Sequence, residues 1–203
     1  MESPKVLLFD LGGVLLDFAG LRELPALLGA TVPLDEMRRR WMASEANLGF
    51  ERGELSADDF ARRFVDEWRL ALDPRAFLTL FRAWNRGPFE GALDLLDRLR
   101  PHYTLACLSN TNAVHWEDIL DGHGLRPCFD RHYASHLLGM AKPDPEVYGF
   151  VAEDLGRAAA EIVFFDDSLE NVAGAQDLGM KAYRVEGLAE LSRRLDALGL
   201  LDP

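Results

Sequence analysis

Lys5-Val-Leu-Leu-Phe-Asp10-Leu-Gly-Gly-Val-Leu-Leu-Asp17 is the stretch on which the reading of this chain turns. Val6 to Phe9 is short, apolar and free of polar alternation, the pattern of a strand buried on both faces. Asp10 ends that run and Gly12-Gly13 follows. A carboxylate therefore stands on the rim of a sheet, beside backbone that can approach a ligand closely. An Asp before Leu-Gly-Gly also suits an ordinary turn. Two residues on, where a second carboxylate would be the natural acid–base partner of Asp10, the chain has Gly12.

Three more runs read as buried strands: Thr104 to Leu108, Ile162 to Phe165 and Ala182 to Val185, with His132 to Ser135 a weaker fifth. Helical periodicity separates them. Leu93, Leu96 and Leu99 recur at helical spacing in Gly91 to Arg100, and Asn171 to Leu178 and Leu188 to Leu198 are similarly amphipathic. Alternation of this kind predicts an α/β fold, a Rossmann-like doubly wound parallel sheet. Sites in such sheets lie outside the carboxyl ends of the strands, where Asp10, Ser109 and Asp166 all fall. Residues from Phe18 to Phe89 break the alternation. They offer no strand candidate and read as several helices, with turns at Gly49, Gly53 and Asp73-Pro74 and a helix start at Ser56. The expected division is a core of residues 1–17 and 90–203, with residues 18–89 inserted as a helical domain.

The downstream strand ends carry chemistry of their own. Ser109-Asn110-Thr111-Asn112 can cap a helix through Ser109, Asn110 or Thr111, or present a hydroxyl and backbone N–H groups to an anion. Lys142-Pro143-Asp144-Pro145 holds a lysine on a stiff turn, a fixed point charge suited to phosphate, and Pro145 can open a helix. Asp166-Asp167 places two repelling carboxylates at the end of a buried strand, a set of hard oxygens that suits Mg²⁺. The same pair reads as a polar turn with Asp167 or Ser168 as helix cap. Asn171 follows at a helix start, where it can brace the loop.

Bulk composition bounds the function. The chain has 203 residues and a net charge of -12, so a nucleic-acid backbone would be repelled. Cys107 and Cys128 form no disulfide framework and read as buried thiols of a reducing compartment. Met1-Glu-Ser-Pro4 has no signal-peptide pattern, and no apolar stretch approaches the ~20 residues of a membrane span. The expectation is a cytoplasmic protein without nucleic-acid or membrane partners; its oligomeric state is left open.

Taken together, Phe9-Asp10-Leu11-Gly12-Gly13-Val14-Leu15, Leu108-Ser109-Asn110-Thr111, Lys142-Pro143 and Phe165-Asp166-Asp167-Ser168 resemble the haloacid dehalogenase superfamily of aspartate-nucleophile hydrolases, in order and in spacing, over nearly the whole chain. Residues 18–89 look like that family's small helical cap, where Gly53-Glu54-Leu55-Ser56 with Phe60 resembles a common pattern. Asp-Leu-Gly and Ser-Asn-Thr-Asn are closest to the branch that contains sugar-1-phosphate phosphatases. The resemblance implies a phosphatase of a small phosphorylated metabolite, a sugar phosphate among the candidates. Asp10 would be the nucleophile that forms an aspartyl-phosphate. Mg²⁺ would be held by Asp10, Asp167 and the Gly12 carbonyl, with Asp166 a ligand or an outer-shell partner. Ser109, the Asn110 backbone N–H and Lys142 would hold phosphate oxygens, with Thr111 and Asn171 in support.

Gly12 departs from most phosphatases of that superfamily, which carry an Asp there. General acid–base help is worth ~10²–10⁴ in rate. Its loss suggests a substrate with an easy leaving group, such as a sugar 1-phosphate, or a surrogate such as Asp17, Glu45 or His115. Two alternatives share the resemblance: a metal-independent 2-haloacid dehalogenase, and a pseudo-phosphatase that only binds a phosphometabolite. Trp41, Glu45, Phe50, Arg52 and Trp84 are candidate pocket residues from the helical region, although packing suits most of them better. Trp116 and His115 lie near the expected rim.

Overall fold

A computed structural model describes residues 5–201 of the chain. Met1–Pro4, on which the signal-peptide reading rests, lie outside the described residues. The chain enters strand β1 (Val6–Phe9) and then β2 (Leu16–Phe18). Helices α1 (Gly20–Leu27), α2 (Leu34–Met42), α3 (Glu45–Glu51), α4 (Ala57–Glu67) and α5 (Pro74–Ala83) follow without interruption by a strand. Strand β3 (Asn85–Pro88) leads to α6 (Ala92–Leu99) and β4 (Thr104–Ser109), and then come β5 (Arg131–Ala134), α7 (Ser135–Leu138) and α8 (Pro145–Asp154). The chain finishes through β6 (Ile162–Asp166), α9 (Leu169–Asp177), β7 (Lys181–Arg184) and α10 (Gly187–Ala197).

Five strands form one parallel sheet in the order β5-β4-β1-β6-β7. Renumbered within the sheet this is 3-2-1-4-5, a doubly wound order whose direction reverses between β1 and β6. Asp10 and Asp166 leave the sheet on either side of that reversal. The unbroken apolar runs now have their reason, since both faces are covered. Leu7, Phe9, Leu105, Cys107, Val163 and Phe165 face one way, into a cluster with Leu96 and Leu99 of α6 and Leu191 and Leu195 of α10. Val6, Leu8, Ala106, Leu108, Ile162 and Phe164 face the other, against Val147 and Val151 of α8 and Val172 and Ala175 of α9. Cys107 and Cys128 are both buried and free.

The helices from α1 to α5 bury a cluster of their own. Phe60 and Phe64 stand one turn apart on α4, and Phe77 and Phe81 do the same on α5; Phe60–Phe81 and Phe64–Phe77 ring centroids each lie 4.8 Å apart. Ser44, Ser56 and Asp73 cap α3, α4 and α5 by accepting backbone N–H bonds. Ser56 is thus the helix start its sequence suggested.

One expectation fails here. The region from Phe18 to Phe89 does contain strand: β3 pairs antiparallel with β2. The two short strands bracket the helices, so the chain leaves and re-enters the α/β layer at one place. Asn-Arg-Gly-Pro and Leu-Asp-Phe carry no apolar run and include Gly87 and Pro88, which weaken any strand signal.

A second tie joins the helices to the α/β layer at Gly53. Its φ is +75° and an added Cβ would lie 2.3 Å from the His136 carbonyl oxygen. Gly53→Ala is therefore expected to destabilise the protein by more than ~1 kcal/mol, from backbone strain and displacement of α7. Urea denaturation of the two proteins measures it.

Candidate active site

The site grows from the ends of β1, β4 and β6. Asp10 extends the β1 ladder by donating its backbone N–H to the Phe165 carbonyl at 2.8 Å. Its side chain is buried and meets Lys142 Nζ at 2.8 Å. The same ammonium lies 2.7 Å from Asp166 Oδ2 and 2.9 Å from the Leu108 carbonyl oxygen. Three donors thus find three acceptors, one on the loop or strand end after each of β1, β4 and β6.

Asn110 fixes this lysine from behind. Its Nδ2 donates to the Lys142 carbonyl at 2.8 Å and its Oδ1 accepts the Lys142 N–H at 2.9 Å. Ser135 secures the next residue, accepting from the Thr111 N–H at 2.9 Å and donating to the Thr111 carbonyl at 3.0 Å. Neither clamp was legible in the sequence, because each joins residues more than twenty positions apart. The expectation that Ser109, Asn110 or Thr111 caps a helix is corrected. No described helix starts there; Asn112 Oδ1 instead accepts the N–H groups of Val114 and His115.

Asp166 and Asp167 differ in surroundings. Asp166 is wholly buried, and its oxygens accept from Lys142, from the Ser168 N–H at 2.8 Å and from Asn171 Nδ2 at 3.0 and 3.1 Å. Asn171 braces the loop as its position suggested, and Ser168 caps α9. Asp167 faces a cavity of about 310 Å³, together with Asp10, Gly12, Ser109, Asn110 and Lys142. Gly13 has φ +78°, and a Cβ there would lie 2.9 Å from Asp167 Oδ2, so this turn needs glycine to bring the loops together.

Arg38, which sequence reasoning missed, reaches from α2 to Asp167: its Nη1 lies 3.0 Å from Oδ2 and donates to the backbone carbonyl at 3.3 Å. Nothing local marks it among the three arginines Arg38-Arg39-Arg40. Of the other helical candidates, Trp41 lines the cavity. Phe50 and Trp84 pack in the helical core, Glu45 is exposed, and Arg52 pairs with Asp144 at 2.8 Å. Trp116 is buried in the cluster under the sheet and is not among the residues that line the cavity.

Oxygen atoms of Asp10, Asp166 and Asp167 all lie within 4.8 Å of one another. Burial, and then repulsion from Asp166 and Asp167, push the Asp10 carboxyl up to about 8 against the pull of Lys142. Burial and Asp166 raise Asp167 as well, against Arg38. Three carboxylates face two cations in a space lined by hard oxygens. A divalent cation of the Mg²⁺ kind fits that donor set, and its charge would offset the repulsion that raises these carboxyls.

Residues 4–179 match the haloacid dehalogenase-like hydrolase family. The chain is 29% identical to a D-ribitol-5-phosphate phosphatase of Bacteroides thetaiotaomicron, over 96% of this chain and 98% of that one. It is 30% identical to a sesquiterpene phosphatase of Aspergillus oryzae, with 87% of each covered. Among solved structures, a HAD family enzyme of Bacteroides thetaiotaomicron in complex with magnesium and inorganic phosphate superposes with a TM-score of 0.71 at 26% identity, covering 91% of this chain and 95% of that one.

The raised Asp10 has a thermodynamic consequence. Its carboxyl titrates near 3.8 in an unfolded chain and near 8 in the metal-free fold. Between those values the fold holds the proton and the unfolded chain does not. The stability this group contributes is complete below the lower value and is lost as pH rises through the upper one. In chelator-treated protein, Asp10→Asn is expected to flatten the fall in stability between about pH 5 and about pH 8.5. Urea denaturation across that range checks it; equal slopes in both proteins would contradict the raised carboxyl.

Proposed function

Because the chain belongs to the haloacid dehalogenase-like hydrolase family, we propose that it is a Mg²⁺-dependent phosphatase of a small phosphorylated metabolite, with Asp10 as nucleophile. The observation that carries the reading is Asp10 held against a buried lysine with two further carboxylates in reach of a shared cation. A metal-independent dehalogenase has no cation for the three carboxylates to share. The phosphatases among the relatives support the same choice.

Asp10, Asp167 and the Gly12 carbonyl would hold Mg²⁺, with Asp166 in support. The bound ion would neutralise charge and polarise the phosphoryl group. An Asp10 oxygen attacks phosphorus, the ester P–O bond breaks, and the departing alkoxide takes a proton from water. Water then hydrolyses the aspartyl-phosphate, regenerating Asp10 and releasing phosphate. Ser109 and the Asn110 backbone N–H would hold equatorial oxygens. Lys142 adds positive charge, and its contact with phosphate would exchange one of its three present acceptors. Residues 18–89 would act as a cap that closes the site to water.

Gly12 leaves the leaving oxygen without a dedicated acid. None of the three proposed surrogates fills the gap. Asp17 is outside the cavity lining and is held by Arg22, which lines it, and Glu45 is exposed on α3. His115 lines the cavity but spends Nε2 on the Phe81 carbonyl at 2.8 Å and Nδ1 on Asn112 at 3.4 Å, and burial lowers its pKa. Substrates whose alcohol leaves readily, a sugar 1-phosphate among them, suit such a site.

Two outcomes test the reading. Hydrolysis of p-nitrophenyl phosphate should need Mg²⁺ and fall at least ~10³-fold in Asp10→Asn; full activity in that variant would remove Asp10 as nucleophile. Position 12 has room for a side chain, since an added Cβ would meet only Phe18 Cβ at 3.9 Å. Gly12→Asp should fold and raise kcat for alkyl phosphates by ~10-fold or more, with little gain on p-nitrophenyl phosphate, whose leaving group needs no acid. Steady-state kinetics on the two esters decides it.

A further inference from the structure

One wall of the cavity is apolar, formed by Leu34, Trp41, Met42, Leu48 and Phe81. Two polar side chains interrupt it. Asn47 and Glu51 lie one turn apart on α3, on the same face, and both line the cavity. Asn47 Nδ2 donates to Glu51 Oε1 at 3.0 Å. Asn47 is only 1% exposed, yet its Oδ1 has no hydrogen-bond partner. A buried carbonyl oxygen without a donor is costly, and it waits for a group that the protein does not supply.

We propose that Asn47 and Glu51 form a subsite for a hydroxyl group, so that the organic part of the substrate carries at least one hydroxyl beyond its ester oxygen. This deepens, and rests on, the phosphatase reading above. A hydroxyl donates to Asn47 Oδ1 while Glu51 takes its other valence. Burial pushes the Glu51 carboxyl up to about 7, against hydrogen bonds from Asn47 and Trp41 and the pull of Lys142. Near neutral pH it is present both as donor and as acceptor, and a hydroxyl, being both, pairs with either form. A ligand carboxylate would meet repulsion from the ionised form. An ammonium group would require that ionised form, which burial opposes. A wholly apolar chain would fill the wall but leave Asn47 Oδ1 unpaired.

The experiment compares kcat/KM for a pentitol 5-phosphate, n-pentyl phosphate and 5-aminopentyl phosphate, with p-nitrophenyl phosphate as reference. Wild type should favour the pentitol ester over the pentyl ester by ~10-fold or more, since a site built for a hydroxyl rejects the analogue lacking it. Asn47→Leu and Glu51→Leu should each bring that ratio near one, mainly through KM. Glu51→Gln, which keeps a donor and an acceptor, should restore most of it. Wild type that hydrolyses p-nitrophenyl phosphate but treats the pentitol and pentyl esters within about twofold overturns the subsite and leaves the phosphatase standing. So does preference for the amino ester. A uniform loss of kcat on all esters in Glu51→Gln would make Glu51 an acid–base group and overturn the hydroxyl reading. Wild type inert on all four esters removes the phosphatase reading and this one with it. Should Asn47→Leu fail to fold by circular dichroism, the wild-type ratio and the Glu51 pair still decide.

Discussion

The ammonium of Lys142 is the contact on which the site's geometry depends. It is buried, and each of its three acceptors belongs to a different strand end: Asp10 after β1, the Leu108 carbonyl on β4 and Asp166 on β6. Two buried carboxylates this close to each other would repel strongly in a medium of low dielectric. With the lysine between them they draw the three strand ends inward. The arrangement demands that the lysine's own backbone be fixed, and the paired hydrogen bonds of Asn110 to the Lys142 N–H and carbonyl do that. Removing the lysine would leave uncompensated buried charge, which costs far more than the pair contributes over an apolar replacement.

The sequence made the α/β layer legible because burial on both faces removes polar alternation and leaves short apolar runs. Val6–Phe9, Thr104 onward and Ile162 onward lie where those runs predicted, and the run at residues 182–185 and the weaker candidate at 132–135 are displaced by a single residue. What the sequence could not display is contact between distant positions. Arg38 looks like its two neighbours and differs only because α2 turns it toward Asp167. Glu51 and Asn47 read as ordinary helix residues until α3 is placed against the cavity. The β2–β3 ribbon was missed because its stability comes from position, with Gly87 and Pro88 opposing any local preference.

Gly12 acquires a physical setting. The turn after β1 requires glycine at Gly13, where φ is positive and Asp167 crowds the missing Cβ. No such demand holds at Gly12, where the space for a Cβ is open. Backbone geometry therefore does not explain the absent carboxylate. A fourth acidic group beside Asp10, Asp166 and Asp167 would have added repulsion to a cluster in which neighbouring carboxylates already help to raise the Asp10 and Asp167 carboxyls. Its absence lowers that electrostatic load.

The site thus divides between two sources. The strand ends supply fixed charges, held by hydrogen bonds that leave Asp166 and Lys142 no freedom. The helices supply the wall, Asn47 and Glu51, and the guanidinium of Arg38. That guanidinium occupies Asp167 Oδ2, and its own Nε is buried without a partner. A cation arriving at Asp167 and the arginine would compete for one lone-pair region, and the positive charge displaced from Asp167 would remain within the cavity. There it would face whatever anion the cation had drawn in. The electrostatics that hold α2 against the sheet before a ligand enters would thereby be of the sign needed to hold it against a phosphoryl group afterwards, so that one arginine would couple the helical segment to both states.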